Sequence, residues 1–145
     1  MFIPQSLNQA TKNLIRRFSN YVQVSCLSHE CARFCTGGVE SIRDFYEVTS
    51  YISRSALVIT ATKLFEGQPT LLCEASLLGV PSIFPKTGGI SEFFPPNYQY
   101  TFEQYDYKDL ENKIRHYFLK ADRGDLGEKN RKFIEKYLDE KLIVN

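Results

Sequence analysis

No excess of charge of either sign marks this sequence. Eighteen Lys and Arg stand against seventeen Asp and Glu, a net charge of +1 over 145 residues. No bulk field therefore draws the chain to nucleic acid, and no acidic partner is implied. Long apolar runs are missing, so nothing approaches the length of a membrane span. The opening "MFIPQSLNQATKNLIRRF" lacks the apolar h-region and cleavage site of a signal peptide, which makes the cytoplasm the expected compartment. Internal repeats, low-complexity segments and linkers are absent as well. What remains is the length of one domain, enough to bury a sizeable core. At 43% hydrophobic and 24% charged residues its composition is that of an ordinary globular protein.

Cysteine is sparse but clustered. Cys26, Cys31 and Cys35 crowd with His29 into "CLSHECARFC", and Cys73 stands apart. Thiolate and imidazole are the usual zinc ligands. The spacing fits zinc poorly, however, because there is no C-x-x-C pair and no second knuckle. Reduced thiols near a strand-to-helix junction are the better expectation.

Hydrophobic periodicity organises the rest. Leu7, Leu14, Ile15 and Phe18 predict an amphipathic helix over 7–18. "NYVQVSCL" reads as a short strand. Ile42, Phe45, Tyr46, Thr49 and Ile52 supply the buried stripe of a helix over 41–54. "ALVITAT" (56–62) is a β-branched run without alternation, as expected of a strand buried on both faces of a parallel sheet. A helix over 69–78 stopped by Gly79, a strand in "VPSIF", a Gly-Gly loop over 85–94 and a strand in "QYTF" follow. Helices over 107–120 and 126–142 close the chain. Strands alternating with helices predict an α/β fold, a three-layer αβα Rossmann-like domain with a parallel sheet. Ligands in such sheets bind at the carboxyl ends of the strands. Here that edge corresponds to the loops over 63–68 and 85–91.

Between those two loops lies "EGQPTLLCE", which holds Glu66 and Glu74 eight residues apart. Pro69 suits a first helical position. The amides of Thr70, Leu71 and Leu72 are then left without intrahelical partners at the positive end of the helix dipole, a ready phosphate site. Gly67 leaves room for close approach to the backbone. Carboxylates repel phosphate, so Glu66 and Glu74 would grip hydroxyls on either side of it. A ligand with hydroxyls flanking a diphosphate is a nucleotide sugar. The competing reading is a solvated Glu66 and an ordinary helix-face Glu74. The apolar neighbours Leu71, Leu72, Ala75, Leu77 and Leu78 count against that by predicting a helix buried nearly all round, in which a carboxylate needs a partner.

The segment "EGQPTLLCEASLLGVPSIFPKTGGISEFF" resembles the E-x7-E region of GT-B glycosyltransferases of the family-4 type, matching at Glu66, Gly67, Glu74, Ala75, Gly79, Pro81, Gly88, Gly89 and Glu92. The strong match covers about residues 55–95. The resemblance implies a C-terminal, donor-binding half of a GT-B fold spanning 1–145, with the acceptor-binding N-terminal domain outside this chain. Glu66 would meet donor-sugar hydroxyls as the catalytic residue, and Glu74 would hold the ribose. Backbone around Gly67, Gln68, Pro69, Thr70 and Leu71 would approach sugar and diphosphate. The implied activity is retaining hexosyl transfer from a UDP- or GDP-sugar to a glycan or lipid-linked acceptor, without metal or other cofactor. Peripheral membrane association of the full enzyme is compatible with it. Two departures stand out. "FIPQSLNQATKNLI" offers Lys12 but no arginine and no glycine-rich turn where the family carries a diphosphate clamp, and the acceptor half is not present.

Other residues carry less. Lys63 and Lys86 are candidate phosphate contacts or solvated lysines. Thr87, Gly88 and Gly89 suit either a sugar-facing corner or a tight turn, and Glu92 a helix start. His29 and His116 are lone histidines, and no Ser-His-Asp or Cys-His set can be assembled. The tyrosines of "PPNYQYTFEQYDYKDL" suit covering a sheet edge. The alternatives to an enzyme half are a degenerate nucleotide-binding partner module and an unrelated Rossmann-like binder such as half of a sugar epimerase.

Overall fold

The computed structural model describes residues 2–3, 25–26, 45–60 and 69–144. Within them the chain runs β1 (Phe2–Ile3), β2 (Ser25–Cys26), α1 (Phe45–Ser53), β3 (Val58–Ile59), α2 (Thr70–Leu77), β4 (Ser82–Pro85), a 3-10 turn (Ile90–Phe93), β5 (Thr101–Phe102), α3 (Tyr107–Lys120) and α4 (Arg123–Val144). The strands form a sheet in the order β2-β1-β3-β4-β5, and every pairing is parallel. The α/β class and the parallel sheet expected from the sequence are both present. The expected helix over 7–18 lies outside the described residues.

Successive residues of a strand face opposite sides of a sheet, and the two central strands bury both sides. Leu57, Ile59 and Ile83 join Tyr100, Phe102 and the Leu110, Ile114 and Tyr117 stripe of α3 in one cluster. Val58 and Phe84 turn the other way, to Ile52 of α1, Leu72 and Ala75 of α2, and Ile90 and Phe94. This is why 57–59 lacks polar alternation: neither face of β3 meets water.

Local chemistry sets the helix ends. Asp106 caps α3 by accepting from the Asp109 N–H at 3.0 Å, and Asp122 caps α4 by accepting from the Asp125 N–H at 3.1 Å. The second cap starts the last helix at Arg123, three residues before the position expected from apolar spacing alone. At the end of α2 the Val80 N–H reaches the Ala75 carbonyl (2.9 Å) and the Gly79 N–H the Ser76 carbonyl (3.0 Å), with Gly79 at φ +73°. That is a Schellman stop, and it needs the left-handed conformation that glycine adopts without strain.

The same glycine receives α4. Gly127 is buried where α4 crosses the end of α2, and a Cβ there would drive into the Gly79 carbonyl group. The atom it would strike is backbone, which cannot swing aside. Gly127→Ala should therefore destabilise the fold by about 1–3 kcal/mol, the usual cost of overpacking, even though alanine favours helix. Urea unfolding checks this; an unchanged or raised midpoint would show that the two helices do not meet so closely.

Candidate functional site

The strand order fixes where a ligand crevice can open. From β1 the sheet grows toward β2 on one side and toward β3 on the other. Connections leaving the carboxyl ends of β1 and β3 therefore diverge, and such a switch point is where open α/β sheets bind ligands. At the end of β3 the Thr60 N–H still pairs with the Ile83 carbonyl at 3.1 Å. The Thr60 hydroxyl is buried with no hydrogen-bond partner among the described residues. The chain then reaches α2 through residues 61–68. Lys63, Glu66, Gly67 and Gln68 belong to that segment and lie outside the described residues.

Pro69, Thr70, Leu71 and Glu74 are described. Pro69 is buried at the N-cap rather than at the first helical position, which falls to Thr70. Its ring offers no capping side chain. The Pro69 carbonyl accepts the first helical bond, from the Cys73 N–H at 3.0 Å. The amides of Thr70, Leu71 and Leu72 thus precede the first turn's bonding, as the sequence implied.

The expectation that α2 is buried nearly all round is corrected. Leu72, Ala75 and Ser76 form its buried face, while Leu77 and Leu78 are 40% and 42% exposed. The helix lies on one side of the sheet, so its far face meets solvent. Thr70 and Glu74, one turn apart, share that far face. Thr70 is exposed and Leu71 half-buried. Glu74 is half-buried and has no hydrogen-bond or ion-pair partner among the described residues. Desolvation by burial raises its pKa above the usual 4.5.

The neighbouring carboxyl end of β4 carries Lys86, Thr87, Gly88 and Gly89. Gly88 has φ +57°, the left-handed conformation of a tight turn, whereas Gly89 at −94° is ordinary. Lys86, a phosphate candidate by sequence, instead pairs with Glu103 beyond β5 at 2.9 Å, which raises its pKa. Its backbone N–H meets the Phe102 carbonyl at 2.8 Å, extending the β4–β5 ladder. Glu92 is exposed in the first turn of the 3-10 helix.

His116 is exposed, with Nδ1 2.9 Å from the Tyr100 hydroxyl. The tyrosine-rich stretch packs inward: Tyr98 stacks on Phe84 and donates to the Ser82 carbonyl at 2.7 Å. Desolvation dominates its titration and pushes its phenol up to about 12. Cys31, Cys35 and His29 lie outside the described residues. Among those described, no group of three or more His, Cys, Asp or Glu side chains is placed to hold a metal, and no helix is long and apolar enough to cross a membrane. Sequence reasoning missed Glu103, which fixes Lys86, and Asn130, which bonds Tyr98. Both sit in polar stretches whose pattern gives no sign of a distant partner. Compared with known proteins, the chain matches no family model and no curated protein.

The raised Glu74 pKa sets a sign. Between the unfolded value near 4.5 and the higher folded value, the native state binds more protons than the unfolded state. The group's contribution to stability is then lost as pH rises through that window. Glu74→Gln, which stays neutral, should lose less stability than the parent between pH 4 and pH 7 in urea unfolding. Parallel profiles for the two proteins would mean that the carboxylate is not desolvated.

Proposed function

We propose that this chain is a three-layer Rossmann-like donor domain of a glycosyltransferase, binding a nucleotide-diphosphate sugar at the carboxyl edge of its sheet. The observation that carries the proposal is the reversal of strand order between β1 and β3. The crevice it opens lies at the end of β3, and the segment leaving that end is the one bearing Glu66 and Gly67. Glu74 adds support. A partly desolvated carboxylate with no partner among the described residues has a use for sugar hydroxyls, and it lies one turn from a helix start whose first three amides have no partner among the described residues.

In this reading the amides of Thr70 and Leu71, with Lys63, hold the diphosphate, and Glu74 accepts from the ribose hydroxyls. Glu66 and the Gly88-Gly89 corner meet the hexose. Stabilising the departing diphosphate by preorganised dipoles supplies most of the rate, with retention at the anomeric carbon and no metal. The acceptor, a glycan or lipid-linked sugar, would be held by a second domain or subunit. A degenerate nucleotide-binding module is the second reading. The Lys86–Glu103 pair favours it, because it engages a cation at that edge.

Calorimetric titration of UDP, GDP, UDP-GlcNAc and GDP-mannose tests the proposal. One nucleotide family should bind, and Glu74→Ala should weaken it by about tenfold or more, the loss of charge-assisted hydrogen bonds. In the complete enzyme Glu66→Ala should cost turnover. Nucleotide binding that is absent, or indifferent to Glu74→Ala, would overturn the assignment.

A further inference from the structure

A second cleft opens at the opposite edge of the sheet. Residues 95–100 lead into the amino end of β5, and α3 runs back from the carboxyl end of β5, so its last turn returns to the amino edge. Between that run and the α3–α4 corner lies a cleft of about 370 Å³. This volume is within the range of small-molecule sites. Tyr98, Tyr100, His116, Lys120 and Asn130 all line it.

Asn130 is the decisive residue. It is 1% exposed, and its Nδ2 donates to the Tyr98 hydroxyl at 3.3 Å. Its Oδ1 is buried with no partner among the described residues. A buried acceptor left unmatched is costly, so this oxygen calls for a donor, and Asn130 lines the cleft. Opposite in character are Lys120, which forms no ion pair among the described residues, and the second ring nitrogen of His116, whose Nδ1 faces Tyr100. These are groups able to donate into the same space.

The formal charges of the lining decide the class of ligand. Asp125 is paired with Lys129 at 2.8 Å, and Asp122 caps α4. With Lys120 included, two acids stand against two lysines. An anion would meet both aspartates and a cation both lysines, so neither gains net attraction. The neutral group that donates to Asn130 while accepting from Lys120 and His116 is a hydroxyl. From this we infer that the cleft is a binding site for a neutral polyhydroxylated ligand, a saccharide unit, separate from the carboxyl-edge crevice. The inference stands whether or not a nucleotide sugar binds there.

Amide chemical-shift titration of the whole chain with maltose tests it, with inorganic phosphate and choline as the anionic and cationic alternatives. Maltose should shift Gln99, Tyr100 and Lys120 saturably, while phosphate and choline leave them unmoved. Lys120→Ala and His116→Ala replace exposed side chains, and thermal melts confirm that each variant folds. Each should raise the maltose Kd about tenfold. Non-saturating drift with maltose overturns the inference. So does saturation by phosphate or choline instead, or an unchanged maltose Kd in both folded variants.

Discussion

A strand buried on both faces has no polar side to offer water, and that constraint shapes the rest of this molecule. Leu57 and Ile59 pack against α3, while Val58 between them packs against α1 and α2. β4 repeats the arrangement with Ile83 and Phe84. Once both faces must be covered, helices have to cross over between strands, and the strands they join run parallel. Every connection from strand to helix then leaves from one edge of the sheet. Both candidate ligand sites are consequences: one lies at that edge, and the other lies where the helices return.

Helix α2 shows how packing assigns roles within one element. Its buried face is three residues wide, and its end is fixed by a glycine stop against which α4 closes through a second glycine. The helix is therefore fixed by packing at one end, while at the other the amides of Thr70, Leu71 and Leu72 have no partner among the described residues. Glu74 rides on the face turned away from the sheet. Burial nevertheless desolvates its carboxylate in part, and no cation among the described residues compensates it. A helix held more loosely could turn such a group into solvent and relieve the cost.

Much of this was legible beforehand. The β-branched run at 56–62 announced a doubly buried strand, of which Val58–Ile59 is the described part, and Gly79 announced a helix stop, because each signal is local. The first helical residue of α2 was misjudged by one, since a proline suits either the cap or the first position and only the bonding of its carbonyl decides. Burial of α2 was overestimated because Leu77 and Leu78 are apolar yet face away from the sheet. Lys86 looked free because its partner Glu103 lies seventeen residues on, across a strand pairing.

By itself the sequence determined the alternation of strands and helices over the described residues and the parallel sheet, since periodicity and end signals act over a few residues. Only the tertiary structure decided the strand order and hence the switch point, the meeting of Gly79 with Gly127, and the cleft in which Asn130 has no donor among the described residues. Those depend on residues far apart in the chain becoming neighbours, and spacing along the chain does not encode which of many possible neighbours will be chosen.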